Sequence, residues 1–186
     1  YQRRYDYAAE YVQILQALWQ SGRASWDGEY FSLDDCSVLP VPKRSIPLVC
    51  AGQSPAGREF VACYADHQFV LTSEENLVTS VEDIRAKSAI SGRNVGIYAL
   101  FHMILADTDD AAEAQVRQII DAADHGAISN ILASASLDTN TGGTSDQLKA
   151  ALDQDVEKGN MAFMGIPVIY GSPETVRQRI EAVSYT

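Results

Sequence analysis

The first periodic segment of the chain predicts an amphipathic helix. Between Tyr5 and Trp19 the apolar residues recur at intervals of three and four, and Ser21-Gly22 ends the run. The pattern then breaks into short aromatic and turn pieces around Asp27-Gly28, which favour a small hairpin. We interpret residues 24–46 as an excursion on the surface of the domain.

From residue 47 onward, short apolar runs alternate with segments of helical periodicity. We predict strands at 47–51, 66–71, 95–106 and 161–169, and helices at 55–64, 73–91, 108–123 and 173–186. Strands that alternate with helices indicate an α/β fold with a parallel sheet. Residues 125–160 are rich in Ser, Thr, Asn and Gly, and we predict an exposed loop or lid there, with a flanking helix at 145–158.

The composition narrows the class of protein. With 186 residues, of which 46% are hydrophobic, the chain suffices for one globular domain or part of one. The formal charge of −11 and the scattered positions of the 14 basic residues argue against a nucleic-acid partner. No apolar run approaches the ~18 residues of a membrane span, and we expect a cytoplasmic protein without a membrane partner.

The metal-binding residue types do not cluster in the sequence. Cys36, Cys50 and Cys63 lack CxxC spacing, which indicates reduced and partly buried thiols rather than a disulfide framework or a zinc site. The three histidines lie on different predicted elements without the spacing of metal ligands. We therefore predict no metal site.

The turn from Ala51 to Pro55 is the main candidate for a binding site. Ser54 suits the N-cap and Pro55 the first position of the helix that follows. Backbone N–H groups at the positive end of that helix, a close approach at Gly52 and the hydroxyl of Ser54 together suit an anion such as phosphate. An ordinary capped helix is the alternative, since Ser172-Pro173 has the same cap chemistry and is assigned no ligand.

The start of the first helix offers further donors. Arg3, Arg4 and Tyr5 supply guanidinium and hydroxyl groups that can reach the same anion, and a pair of solvated arginines is the alternative. The sequence contains no nucleophile elbow, HExxH motif, Walker loop or GxGxxG motif. It therefore identifies no catalytic residue.

Several short motifs occur in an order that resembles one known family. They are Arg3-Arg4-Tyr5-Asp6-Tyr7, Glu10-Tyr11-Val12-Gln13, Leu18-Trp19, Gly28-Glu29-Tyr30-Phe31, Asp35-Cys36 and Cys50-Ala51-Gly52-Gln53-Ser54 with Ala56-Gly57. In order and spacing they resemble the luciferase-like flavin monooxygenases, and most closely the pyrimidine monooxygenases of RutA type. The match is densest over residues 3–66, and residues 171–176 also resemble the start of the family's final helix.

The resemblance implies a fold and an activity. The fold would be a parallel (β/α) TIM barrel of the bacterial luciferase-like type, with residues 1–186 as one partial domain, an incomplete C-terminal portion. The activity would be an FMN-dependent monooxygenase that opens the pyrimidine ring of uracil or thymine with reduced flavin and O2. A separate NADH- or NADPH-dependent flavin reductase would supply the reduced flavin, and a homo-oligomer is compatible with the family.

The resemblance also implies site residues. The family's FMN contacts carry over to Arg4, Tyr5 and Ser54, with Gly52 and Gln53 in the same turn. Two alternatives stay open: a luciferase-like monooxygenase for an alkanesulfonate, sulfone or other small molecule, and a truncated, non-catalytic remnant that binds flavin or phosphate.

Overall fold

The computed structural model describes residues 3–135, 137 and 160–184 of the chain. Its elements follow in the order α1 (Arg4–Ser21), β1 (Arg23–Asp27), β2 (Ser32–Ser37), β3 (Val49–Cys50), α2 (Pro55–Tyr64), β4 (His67–Val70), α3 (Glu74–Ile90), β5 (Gly96–Ala99), β6 (His102–Leu105), α4 (Asp109–Asp121), α5 (His125–Ala135), a 3-10 helix (Asn160–Phe163), β7 (Val168–Gly171) and α6 (Pro173–Ser184). The alternation of strands and helices from β3 onward confirms the α/β prediction.

The strands form three small sheets. β3, β4 and β5 are parallel neighbours in that order, and β6 pairs with β7 in parallel. β1 and β2 form the expected antiparallel hairpin, in which Trp26 lies opposite Leu33. Because α2 joins β3 to β4 and α3 joins β4 to β5, the parallel sheet is built from βαβ units.

The single strand predicted at 95–106 is wrong, because the chain changes its pairing partner there. The amide of Leu100 still donates to the carbonyl of Val70 at the end of β4, at 3.3 Å. Two residues later the amide of His102 donates to the carbonyl of Pro167, at 2.8 Å, and β6 runs beside β7. The mostly apolar run at 95–106 therefore contains two short strands.

Two further predictions for the second half need correction. Residues 125–135 form α5 rather than a loop or lid, since the carboxylate of Asp124 accepts the amide of Ala127 at 2.9 Å and caps the helix. The strand predicted at 161–169 begins only at Val168, because positive φ angles at Met164 and Gly165 make a turn after the 3-10 helix. The helix predicted at 145–158 lies outside the described residues.

The hydrophobic core lies between the three-stranded sheet and the helices α2 and α3. Its two clusters consist of Val61, Ala62, Ala65, Ile84 and Val95, and of Val70, Leu77 and Val81. The side chains of β4 alternate, so that Gln68 and Val70 are buried while His67 and Phe69 are partly exposed. His67 stacks on the ring of Tyr98, with 4.6 Å between ring centroids, which gives this histidine a packing role.

The three thiols are free but not uniformly buried. Cys36 and Cys50 are partly buried as expected, whereas Cys63 is exposed on α2. Burial raises the pKa of the Cys50 thiol, which packs against the cluster around Val61. Throughout the described part of the chain, no helix combines the length and the apolarity that a bilayer crossing requires.

Candidate functional site

Ser54 caps the first turn of α2, as the sequence predicts. Its backbone is extended, with φ −66° and ψ 160°, and its Oγ accepts the amide of Gly57 at 3.2 Å. Its carbonyl accepts the amide of Arg58 at 2.9 Å, and Pro55 occupies the first helical position. Because Oγ accepts from Gly57, its own O–H remains available to donate to a ligand.

Gly52 and Gly57 bring the backbone before α2 directly against its first turn. A β-carbon on Gly52 would lie 2.9 Å from the Cα of Gly57, and one on Gly57 would lie 2.6 Å from the hydroxyl oxygen of Tyr5. Both distances are shorter than a carbon can tolerate, so only glycine fits at either position without displacement. The two glycines therefore let the backbone before α2 pack directly on the first turn of the helix, which fixes the conformation of the turn.

The first turn of α1 meets the first turn of α2. The hydroxyl oxygen of Tyr5 lies 3.4 Å from Ser54 Oγ, and the ring of Tyr5 packs on Phe60 at 5.6 Å between centroids. The guanidinium carbon of Arg4 lies 4.9 Å from the centroid of the Tyr5 ring. The structure thus brings Tyr5, Gly52 and Ser54 together at the start of α2, with the Arg4 guanidinium against the ring of Tyr5.

Gln53 belongs to this turn through its backbone. Its side chain is buried, and its Oε1 accepts the amide of Leu71 at 3.3 Å, so the side chain faces the end of β4. The Gln53 carbonyl accepts Nε of Arg58 at 3.0 Å. Gln53 therefore ties the turn to the sheet and to α2.

Three residues that the sequence analysis did not single out support the turn. Two of them, Gln68 and Arg58, bond to it directly, and the third, Asp83, holds Arg58. Gln68, which is 1% exposed, donates its Nε2 to the carbonyl of Gly52 at 2.9 Å. Arg58, besides its bond to Gln53, donates to Asp83 Oδ2 at 2.9 Å. An uncharged polar residue inside a buried strand is a sequence signal that could have identified Gln68, because such a side chain needs a partner.

Asp83 completes this support between α2 and α3. Burial alone would raise the pKa of its carboxyl, but the bonds from Lys87 and Arg58 outweigh burial and hold the pKa below its usual range. Lys87 Nζ lies 2.7 Å from Asp83 Oδ1. Arg58 is therefore held by a charged carboxylate while it donates to the turn.

The second Ser-Pro cap differs from the first in what occupies it. The amide of Ser172 donates to Asp109 Oδ1 at 2.6 Å, and the hydroxyl of Thr175 donates to Asp109 Oδ2 at 3.0 Å. The backbone N–H of Ser172, with the hydroxyl of Thr175, holds the pKa of Asp109 below its usual range. The start of α6 thus already carries an anion from the chain itself, whereas Ser54 faces the neutral hydroxyl of Tyr5.

The donor set at Ser54 suits an anion. It consists of the hydroxyls of Tyr5 and Ser54 at the positive end of α2, with the guanidinium of Arg4 on the ring of Tyr5. Among the residues that the structure describes, no group of three or more His, Cys, Asp or Glu side chains is placed to hold a metal ion. Donors of these types are the ones that oxyanions such as phosphate require.

Comparison with known proteins gives the chain its relatives. The family described as luciferase-like monooxygenase matches residues 1–186. Pyrimidine monooxygenase RutA of Bradyrhizobium sp. (strain BTAi1) is 37% identical over 182 residues, which cover 96% of this chain and 49% of that protein. Pyrimidine monooxygenase RutA of Escherichia coli (strain SMS-3-5) is 40% identical over 146 residues, which cover 76% of this chain and 40% of that protein.

A solved structure shares the fold. Riboflavin lyase, determined with modified FMN and its substrate riboflavin, aligns with a TM-score of 0.78 at 21% identity, over 98% of this chain and 50% of that one. The chain spans about half the length of the curated relatives it matches. The described βαβ units are accordingly part of a (β/α) barrel, which confirms the predicted fold class, and the chain belongs to the luciferase-like monooxygenase family.

Proposed function

We propose that the chain holds the phosphate of FMN at the start of α2, as part of a flavin-dependent monooxygenase that acts on pyrimidines. The observation that carries the proposal is the meeting of Tyr5 and Ser54, 3.4 Å apart, beside a glycine-lined helix start. Arg4 lies against the Tyr5 ring in the same cluster. These residues match the donor requirements of a phosphate group.

The residues present fit FMN through its phosphate. Gly52 and Gly57 pack backbone against backbone beside the point where the hydroxyls of Tyr5 and Ser54 meet. In this proposal Arg4 balances the phosphate charge, while the two hydroxyls donate to its oxygens at the positive end of α2. Gln53 contributes its backbone.

The supporting residues keep the donors in place before the cofactor arrives. Gln68 holds the carbonyl of Gly52, Arg58 holds the carbonyl of Gln53, and Phe60 holds the ring of Tyr5. A site that is organised in advance loses less conformational entropy when the ligand binds. When bound, reduced FMN supplies the oxygen-activating chemistry, and the chain binds and orients the cofactor.

The substrate proposed is uracil or thymine, whose ring the whole protein opens with O2. The support is the 37–40% identity to two proteins named pyrimidine monooxygenase. A separate NADH- or NADPH-dependent flavin reductase in the cytoplasm is the proposed source of reduced FMN.

Turnover by the full-length protein tests the proposal. The protein is supplied with reduced FMN from a flavin reductase, O2 and either uracil or thymine, and the loss of pyrimidine absorbance and the mass of the product are followed. We expect consumption of the pyrimidine and a ring-opened product that gains oxygen. Oxidation of an alkanesulfonate or sulfone but of neither pyrimidine would contradict the proposed substrate. Flavin binding without any turnover would contradict the proposed monooxygenase activity.

A further inference from the structure

The carboxylate of Glu10 organises the turn of the β1–β2 hairpin. Glu10 lies in the middle of α1 and is 9% exposed. Its oxygens accept the amide of Phe31 at 2.8 Å, the indole N–H of Trp26 at 3.0 Å, and the amides of Glu29 and Tyr30 at 3.1 Å. A side chain from the helix thus serves as the anion in a nest of backbone amides.

The electrostatics of Glu10 agree with this geometry. Burial alone would raise the pKa of the Glu10 carboxyl, but the amides of Phe31 and Tyr30, with the indole of Trp26, outweigh burial and hold the pKa below its usual range. The carboxylate is therefore charged at neutral pH. A charged acceptor makes stronger hydrogen bonds than a neutral one, so the turn is held firmly to α1.

Gly28 is required for the turn to close around this carboxylate. A β-carbon at Gly28 would lie 1.9 Å from Glu10 Oε1, and the amide of Gly28 donates to the carbonyl of Phe31 at 2.9 Å. The aromatic residues of the turn also contact α1, since the ring of Tyr7 lies 4.8 Å from that of Phe31 between centroids. The hairpin is thus attached to α1 by its turn.

The same turn reaches back to the start of α1. The carboxylate of Glu29 accepts two hydrogen bonds from the guanidinium of Arg3, one of them from Nη2 to Oε2 at 2.7 Å. The same guanidinium lies 5.5 Å from the ring centroid of Tyr30. Arg3 directly precedes Arg4 and Tyr5. Exposed ion pairs contribute little when both partners move freely, but the backbone of Glu29 is held by Glu10.

We infer that the turn 28–31, held by Glu10, positions the first turn of α1 so that Tyr5, with Arg4 against its ring, meets Ser54. Glu10 and Glu29 are then positioning residues for phosphate recognition, acting through Arg3. The inference rests on the proposed FMN site, and it gives the hairpin a role in cofactor binding beyond that of a surface excursion. If the hairpin only stabilised the fold, substitutions in it would affect the binding of phosphorylated and unphosphorylated flavin alike.

Dissociation constants for FMN and for riboflavin, measured on the full-length protein by flavin fluorescence, test the inference. We expect Glu29→Gln to weaken FMN binding about tenfold, the loss expected when one charged hydrogen bond to a ligand is misplaced, and to leave riboflavin binding unchanged. Glu29→Asp keeps the charge and should restore part of the FMN affinity. Glu10→Gln should weaken FMN binding in the same selective way, since it puts an amide group among N–H donors.

The control is a second ion pair on the same hairpin. Arg23 pairs with Asp35, and their side chains are 65% and 64% exposed, close to the 60% and 56% of Arg3 and Glu29. Asp35→Asn should leave both dissociation constants unchanged. Suppose the wild type prefers FMN. If Glu29→Gln then weakens the binding of FMN and of riboflavin equally, or weakens the binding of neither, the inference is wrong and the phosphate site stands. If the wild type binds both flavins equally, the phosphate site and the inference are both wrong.

Discussion

The hydroxyl oxygen of Tyr5 lies 3.4 Å from Ser54 Oγ, although 49 positions separate the two residues in the sequence. Tyr5 lies in the first turn of α1 and Ser54 is the N-cap of α2, so the contact joins the starts of the two helices. A separation of 3.4 Å is at the long end for two hydroxyl groups, which leaves both able to turn toward a shared ligand. This relationship underlies the proposed phosphate site.

The contact between Gly52 and Gly57 predicts a steep cost for any side chain there. Gly57→Ala would set its β-carbon 2.6 Å from the Tyr5 hydroxyl and 2.9 Å from the backbone of Gly52, and backbone cannot yield cheaply. We expect a loss of ~1–3 kcal/mol of unfolding free energy together with a loss of FMN affinity. Denaturant unfolding and flavin titration measure the two effects.

Gly126→Ala is the matched control for this substitution. Gly126 also lies in the first turn of a helix, and its added β-carbon would meet the side chain of Asp124 at 3.3 Å. We expect unchanged or higher stability, because alanine is the better helix former by ~1 kcal/mol. Equal losses from both substitutions would show that the close approach at Gly57 has no special importance.

The buried amide of Gln68 predicts a second effect. Gln68→Leu would leave the carbonyl of Gly52 without its 2.9 Å donor, and an unsatisfied buried acceptor costs ~1–3 kcal/mol. Gln13→Leu is the control, since Gln13 makes the same kind of bond to the carbonyl of Ala9 at an exposed position. Urea unfolding should show a clear loss for Gln68→Leu and a change within ~0.5 kcal/mol for Gln13→Leu. Similar losses would contradict the role assigned to Gln68.

Substitutions of Arg58 and Lys87 separate the effect of the hydrogen bond to the turn from the effect of the ion pair with Asp83. Both bind Asp83, and their side chains are 26% and 27% exposed, but Arg58 also donates to the carbonyl of Gln53. We expect Arg58→Met to cost ~1–2 kcal/mol and to weaken FMN binding, and Lys87→Met to cost ~0.5 kcal/mol without that effect. Thermal unfolding and flavin titration on both variants decide the matter. An equal loss of FMN affinity in the two variants would assign the effect to Asp83 rather than to the turn.

The Asp109 carboxylate predicts how the free energy of unfolding falls as the pH is lowered. Its pKa in the folded state lies below the usual value, chiefly because Ser172 donates its backbone N–H. The contribution of Asp109 is therefore complete above its unfolded pKa of about 3.9 and is lost as pH falls through the lower folded pKa. Asp109→Asn should lower stability at neutral pH and flatten the fall below about pH 4.

Asp110→Asn controls for charge in this experiment, because it removes the same charge one residue along the first turn of α4. Unfolding free energies measured from pH 7 to pH 2.5 should converge at the acid end for the wild type and Asp109→Asn. A constant difference between these two proteins across the range would contradict the linkage to Asp109.

The sequence predicts those parts of the site that depend on neighbours along the chain. The cap at Ser54 and the first position at Pro55 are local features, and both are present in the structure. The contact of Tyr5 with that cap depends on tertiary structure; the residue types at 3–5 suggested that they could reach the same anion, and the resemblance to a family narrowed this to Arg4 and Tyr5. Glu10 and Gln68 were not identified, because their partners lie 16 to 21 residues away.

The errors in the fold prediction have a similar origin. The run around Leu100 is apolar apart from His102, and no turn residue in it marks the place where pairing with β4 ends and pairing with β7 begins. The helix α5 follows a capping residue, Asp124, but the Gly, Ser and Asn residues at positions 126, 129, 130 and 134 are poorer helix formers than alanine and obscure its pattern. Strand pairing and capping bonds decide both cases, and each depends on the folded chain.

The most direct test of the phosphate site compares FMN and riboflavin binding to the full-length protein with Ser54→Ala and Ser172→Ala, by titration calorimetry. Both variants lose a Ser-Pro helix cap, but Asp109 already occupies the start of α6. We predict that Ser54→Ala weakens FMN binding by about ten- to a hundredfold and leaves riboflavin binding unchanged, while Ser172→Ala changes neither. An unchanged FMN affinity in Ser54→Ala, or an equal loss in both variants, would contradict the account.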